Sequence, residues 1–172
     1  MKRGQVWVET VIYTLIGLAI IGIVLALVKP KIDEKKDIAA IEQAIDSLNI
    51  LDSKIFEIQT IPGNKRVVTL KIGKGDLLID AENDAITWEL ESNTQYSEVG
   101  SIIKIGDLNV LTKIDGNLWK VYIQANYSSI NLTYNGVDKT TQVLSAAKNP
   151  YKITLENVGK QNRKTVIDIG GF

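Results

Sequence analysis

The first pattern along the chain is an unbroken apolar stretch close to the N-terminus. Residues 10–28 carry no formal charge, and as a helix, at about 1.5 Å per residue, they would extend roughly 28 Å, close to the hydrocarbon thickness of a bilayer. A core helix seldom stays apolar on every face for this length. A cleaved secretory signal has a shorter apolar stretch followed by small residues, whereas this one leads into Lys29 and Pro30. The pattern therefore predicts a membrane helix over residues 5–29.

A second, amphipathic helix is predicted over residues 31–58. Its apolar residues recur at steps of three or four, namely Ile38, Ile41, Ile45, Leu48, Leu51 and Ile55, while Asp37 and other polar residues occupy the opposite face. Pro30 predicts a kink or short break between the two parts. The apolar stripe has two possible uses, packing onto the β domain of its own chain or contacting helices of neighbouring chains, and the first is favoured.

After the turn residues Ile61-Pro62-Gly63-Asn64, the pattern changes to short β-like segments. Ten strands are predicted, over residues 66–72, 76–80, 85–91, 101–105, 107–114, 118–125, 129–134, 140–144, 151–156 and 164–169. Lys74-Gly75 and Glu82-Asn83-Asp84, the turns between the first three strands, indicate a meander there, and Asp115-Gly116-Asn117 and Asn135-Gly136 are hairpin signals. We therefore predict an α+β chain, with a long N-terminal helix followed by an antiparallel β-sandwich-like head domain over residues 64–172.

Composition removes most enzyme mechanisms. The chain has no cysteine and no histidine, so it lacks a disulfide framework, a thiolate metal site and the commonest general base. Its scattered acids, such as Asp76 and Asp80, do not match a calcium loop, and Gly73-Lys74-Gly75 is too short for a phosphate loop. We predict no catalytic residue, no metal and no cofactor. Lys and Arg balance Asp and Glu at 20 each, so a nucleic-acid partner is not expected.

Glu9 is a lone acid at the start of the apolar stretch, where a carboxylate is costly unless it is paired. A cut between Gly4 and Gln5 would create a new α-amino group and leave Glu9 as the fifth residue. Lys2, Arg3, Gly4, Gln5 and Glu9, joined to the apolar run, resemble the type IV prepilin family. Gln5 after the cut is similar to the class III signal peptide of archaeal pilins and archaellins.

This resemblance implies that a prepilin peptidase recognises Lys2 and Arg3 and removes a leader of residues 1–4. Glu9 would then attract the N-terminal amine of a neighbouring copy as the helices stack into a helical filament. The chain would lie in membrane lipid before assembly and on the cell surface afterwards, as a homo-oligomeric filament for adhesion. The expected assembly residues are Glu9, Trp7, Ile12, Leu15, Leu18 and Ile21.

Other readings of the N-terminus stay open. The segment could be an ordinary anchor for a monomeric extracellular binding module, with Glu9 at the interface. It could equally belong to a minor pilin or pseudopilin of a secretion machine, which would share every N-terminal feature. The basic residues also conflict with the required orientation, because Lys2 and Arg3 precede the span and four lysines, Lys29, Lys31, Lys35 and Lys36, follow it.

Two glycosylation sequons lie close together in the predicted β domain. Asn126-Tyr127-Ser128 and Asn131-Leu132-Thr133 each have the Asn-x-Ser/Thr pattern without proline. Chance is the simpler explanation for such short motifs. An exported location would raise their significance, and the archaeal resemblance implies glycosylated filaments, so Asn126 and Asn131 are candidate glycan sites.

Overall fold

The computed structural model of the chain describes the backbone of residues 2–171 and the side chains of residues 7–171. One helix, α1 (Lys2–Ile58), runs through Pro30, so the short break that was one of the two expected outcomes is absent. The chain divides into two compact units, Met1–Lys36 and Asp37–Phe172. The second unit, called the head unit below, contains the second part of α1 together with all ten strands.

The head unit has two sheets. A four-stranded sheet has the order β1-β9-β10-β7, and a six-stranded sheet has the order β4-β5-β6-β3-β2-β8. The strands are β1 (Lys65–Leu70), β2 (Asp76–Asp80), β3 (Ala85–Ser92), β4 (Ile102–Ile105), β5 (Leu108–Asp115), β6 (Leu118–Asn126), β7 (Ile130–Tyr134), β8 (Thr141–Ser145), β9 (Tyr151–Gln161) and β10 (Lys164–Gly170). The long N-terminal helix followed by mainly antiparallel sheets confirms the α+β prediction.

The first three strands do not form the predicted meander, because β1 pairs with β9 in the four-stranded sheet while β2 and β3 pair in the six-stranded one. Hairpins join β2 to β3, β4 to β5, β5 to β6 and β9 to β10, but β3 pairs with β6, and β2 with β8. One pair, β7 with β10, is parallel. Asn135 and Gly136 form a tight turn with positive φ angles of 50° and 74°, yet β7 and β8 on either side belong to different sheets. The turn signal was right, and the hairpin it suggested was wrong.

One hydrophobic core joins the second part of α1 to both sheets. Five of the six predicted stripe residues of the helix, Ile41, Ile45, Leu48, Leu51 and Ile55, are buried, and Ile38 is half-buried. They pack in the cluster that includes Trp88, Ile123 and Leu155. The apolar stripe therefore packs within its own chain, as favoured from its spacing.

Asn157 of β9 closes the end of α1 inside the core. Its side chain is fully buried, and its amide donates to the carbonyl oxygens of Ile58 at 2.7 Å and Gln59 at 3.1 Å. Its own oxygen accepts from the Gly159 N–H at 2.9 Å. The last carbonyls of a helix have no partner within the helix, and leaving them unpaired in a core is costly. The side chain therefore satisfies groups that water cannot reach.

We expect Asn157→Ala to lower the free energy of unfolding by about 2 kcal/mol, because it strands buried carbonyl and N–H groups. Denaturant unfolding of the full chain in detergent micelles, followed by tryptophan fluorescence, measures the loss. Gln161→Ala, at the exposed end of the same strand, is the control and should change stability by less than about 0.5 kcal/mol. Equal effects of the two changes would refute this role for Asn157.

Candidate functional site

The first unit exposes apolar side chains on all sides of its helix. Trp7 is 72% exposed and Leu27 is 69% exposed, and the large side chains between them are exposed as well. Among the described residues this is the one helix that is long and apolar enough to cross a membrane. An exposed apolar surface of this extent is unfavourable in water, and such surfaces mark membrane or protein interaction sites. The exposure of this surface agrees with the predicted membrane helix.

The expected assembly residues are all exposed, but they do not form one stripe. Ile12, Leu15, Leu18 and Ile21 follow one another at steps of three. Since each residue of an α-helix turns by about 100°, each step of three falls short of a full turn by about 60°. Ile12 and Ile21 therefore lie on opposite sides of the helix. The segment is suited to contacts all around its circumference rather than to a single partner on one face.

Glu9 lies exposed at the start of this surface. The Tyr13 hydroxyl, one turn further along the helix, donates to its carboxylate at a long 3.4 Å. No lysine or arginine forms an ion pair with Glu9 among the residues whose side chains are described. Lys2, Arg3, Gly4 and Gln5, the predicted recognition and cleavage residues, lie outside that range. The pairing of Glu9 with the amine of a neighbouring copy stays a prediction.

Asp37, at the start of the head unit, is a buried carboxylate. Sequence spacing placed it on the polar face of the helix, but it is only 5% exposed. It accepts hydrogen bonds from the Asn93 backbone N–H at 2.7 Å, from the Asn93 amide at 2.8 Å, and from Lys74. Burial on its own would raise the pKa of Asp37, but these hydrogen bonds and the positive charge of Lys74 together hold it below its usual value.

Asp37 thereby connects the helix to two loops of the head unit, one before β2 and one after β3. Trp88, a core residue, donates from its indole N–H to the Lys74 carbonyl at 3.0 Å, which fixes the position of the lysine backbone. Sequence reasoning missed this cluster, because Asp37 and Lys74 are 37 residues apart and no pattern relates them. The only signal was an acid close to the apolar stripe of an amphipathic helix.

The two sequons occupy different environments. Asn126 ends β6 and is exposed, and its side-chain oxygen accepts from the Ser128 N–H at 3.2 Å. Tyr127, the middle residue of the first sequon, is buried. Its burial and the nearby Asp52 carboxylate raise the pKa of the Tyr127 hydroxyl above its usual value. Asn131 lies within β7, is half-buried and pairs with Val166 of β10. Of the two, Asn126 is the more accessible to a modifying enzyme.

The described residues contain no group of three or more acids positioned to hold a metal ion. Trp88 is a core residue, and Trp119 is half-buried in β6 opposite Ser92. The candidate functional features are therefore the exposed apolar segment and the surface of the head unit.

Comparison with known proteins bears on the head unit. Residues 53–155 match the model of a family described as the propionyl-coenzyme A carboxylase BT domain. The match covers more than half of the chain, from the end of α1 into β9, and includes neither Glu9 nor the apolar segment. No curated protein and no solved structure matches the chain.

Proposed function

We propose that this chain, which belongs to the family of the propionyl-coenzyme A carboxylase BT domain, is a structural subunit of a type IV pilus-like surface filament that serves in adhesion. The observation that carries the proposal is the uncharged helix surface of residues 10–28, whose large apolar side chains are exposed on all sides. Lipid covers such a surface before assembly, and the helices of other copies cover it in the filament. The head unit then lies outside and forms the outer surface.

Assembly starts with removal of residues 1–4 by a prepilin peptidase. The new amine at Gln5 and the carboxylate of Glu9 on a neighbouring copy neutralise one another as both leave the membrane. Without that partner, the Glu9 charge would oppose burial among apolar helices by several kcal/mol. The charge pair therefore favours one stagger between neighbouring helices over others, which an apolar surface alone cannot specify.

In this proposal the head unit works as a surface module and not as an enzyme. The chain has neither histidine nor cysteine, and its described residues offer no cluster of acids for a metal. The family name refers to a domain of a larger enzyme; here the same kind of domain follows a membrane-type helix. A domain of this family can serve in a filament as well as in an enzyme, because fold does not determine function.

A second candidate is a membrane-anchored component of a carboxylase, and the family match over residues 53–155 favours it. In that case the helix would remain in the membrane and the head unit would contact the enzyme. The discriminating observation is propionyl-coenzyme A carboxylation in isolated membranes. Deletion of the chain lowers that activity if it belongs to such an enzyme and leaves it unchanged if it is a filament subunit.

Leader removal is the first step to test. We expect the intact mass of the chain isolated from membranes to correspond to a product that starts at Gln5. Gly4→Leu is expected to block the cut and leave a chain that retains Lys2 and Arg3, while Val11→Leu in the apolar segment is the control and is processed normally. A wild-type chain that retains its leader, or one that starts near Lys29, contradicts the proposal.

Glycosylation provides a separate test of export. We expect a glycan on Asn126 rather than on Asn131, because Asn126 is exposed at the end of a strand and Asn131 is half-buried within one. Glycopeptide mass spectrometry of the wild-type chain and of Asn126→Gln and Asn131→Gln measures occupancy. Loss of the glycan in Asn126→Gln alone is the expected result, and a glycan that persists in Asn126→Gln contradicts it.

A further inference from the structure

The outer face of the six-stranded sheet is divided by charge. On one side, β4, β5 and β6 direct three lysines outward, Lys104, Lys113 and Lys120, together with one acid, Asp115 at the end of β5; this side has a net positive charge and is called the lysine half. On the other side, β2 and β3 direct four acids outward, Asp76, Asp80, Glu89 and Glu91, which are called the carboxylate half. The two halves meet where β6 pairs with β3, in the middle of the sheet.

Each half contains a cross-strand pair of like charges. Lys113 lies directly opposite Lys120 on β5 and β6, and Asp76 lies directly opposite Glu89 on β2 and β3. Like charges directly opposite one another destabilise a sheet. The outer face therefore contains two repulsive cross-strand pairs, one positive and one negative. A surface of opposite charge placed over either half would remove the cost.

Contacts within the chain compensate these charges only in part. Lys120 forms an ion pair with Glu89 at 3.0 Å across the boundary and lies directly opposite Glu91 on β3. Lys113 lies 5.2 Å from the centre of the Tyr122 ring. Among the described residues, Lys104, Lys113, Asp76 and Glu91 form no ion pair. Each half therefore retains charge that is available to another molecule.

Apolar side chains lie beside the charges on both sides of the face. Ile102 of β4 is 65% exposed and borders a shallow cleft with Leu111 and Tyr122. On the opposite margin, Val143 of β8 is 48% exposed and lies across from Leu78 of β2. Each half thus offers a charged group with an adjacent apolar contact, which is the composition of a protein interface with a polar rim.

We propose that this face binds a second copy of the chain, with the lysine half of one copy against the carboxylate half of the next. Both complementary surfaces are present on a single face of one molecule, so a second copy supplies the required opposite charge without another partner. The contact lies on the head unit and adds to the helix contacts of the proposed filament. It links head units to one another, within a filament or between filaments.

Single-cysteine cross-linking tests the contact, because the natural chain contains no cysteine. Full-length Lys113→Cys and full-length Asp76→Cys, carrying different tags, are mixed in detergent micelles and mildly oxidised. A disulfide requires Cα atoms within about 7 Å, so a heterodimer between the two variants is expected. Lys152→Cys, on an exposed position of the other sheet, mixed with Asp76→Cys is the control. Heterodimer at no more than the control level overturns the proposal.

Charge-reversal variants test the contact between copies without destabilising the fold of the head unit. Lys113→Glu would face Lys120, and Asp76→Lys would face Glu89, so each reversal replaces a repulsive cross-strand pair by an attractive one. Each single variant is expected to fold at least as stably as the wild type, yet its self-association, measured by sedimentation, should weaken about fivefold. The double variant should regain most of that loss. Unchanged association in both single variants overturns the proposal.

Failure of the head contact and failure of the filament proposal give different results. A chain that forms filaments but gives no cross-link above the control removes the head contact and leaves the filament intact. A cross-link in a chain that forms no filaments supports the head contact and removes the filament proposal.

Discussion

Replacing Glu9 by alanine is expected to abolish surface filaments while the chain still inserts in the membrane. In the proposed assembly the carboxylate neutralises the amine of a neighbouring Gln5 among apolar helices. Its removal leaves that amine buried without a partner, at a cost of about 3 kcal/mol for each contact. This lowers the association constant of each added copy roughly 100-fold, so filaments should be undetectable by electron microscopy of the cell surface.

The control for Glu9 is Asp46→Ala, which removes one negative charge from an exposed position in the head-unit part of the same helix. Filaments are expected to remain at wild-type number in that variant. Glu9→Asp, which keeps the charge but shortens the side chain, should give fewer filaments rather than none. Normal filaments in Glu9→Ala would show that the pairing of Glu9 with an amine is wrong, even if the filament itself is real.

Asp37→Ala is expected to destabilise the head unit. The change leaves Lys74 and the Asn93 N–H groups without their buried acceptor. Lys74 is 36% exposed on its side chain and regains some water, so we expect a loss of about 2 to 3 kcal/mol rather than the larger cost of an enclosed charge. For a unit of this size the melting temperature falls by roughly 7 to 10 °C.

The pH dependence gives an independent check on Asp37. Because its folded-state pKa is lowered, its contribution is present above the pKa of an unfolded aspartate, about 3.9, and is lost as the pH falls through the folded pKa. The difference in melting temperature between wild type and Asp37→Ala should be constant from pH 7 to pH 5 and shrink below about pH 4. A difference that does not change down to pH 2 would mean that the carboxylate charge contributes nothing.

Much of the fold could be predicted from local patterns. The stripe from Ile41 to Ile55 was readable because the spacing of buried residues in a helix follows directly from its 3.6-residue period. The ten strands were readable because turn residues such as Gly116, with a φ of 60°, separate them. These signals act over a few residues, so one sequence is enough to detect them.

The strand order and the polar contacts of the core could not be predicted in this way. The parallel pairing of β7 with β10 joins residues more than thirty positions apart, and turn chemistry at Asn135-Gly136 does not specify which sheet the next strand enters. Asp37 was assigned to the polar face of the helix, and no pattern singled out Asn157. Their burial depends on partners at separations of 37 to 99 residues, for which the local pattern holds no information.

The candidate site shows a similar division. The apolar segment was predicted from the length of its uncharged run, and the exposure of its side chains agrees with that prediction. Lys2, Arg3, Gly4 and Gln5 were identified by resemblance and stay predictions. The divided charge of the six-stranded sheet was not anticipated, because it appears only once β3 and β6 are known to be neighbours.

The most direct test of the filament proposal is the composition of material sheared from the cell surface. Filaments are separated by sedimentation, and their subunit is identified by intact mass. The proposal predicts filaments composed of this chain with Gln5 as the first residue, present in wild-type cells and absent when the chain is deleted. Recovery of the chain only from the membrane fraction, with its leader retained and no filaments attributable to it, would contradict the proposal.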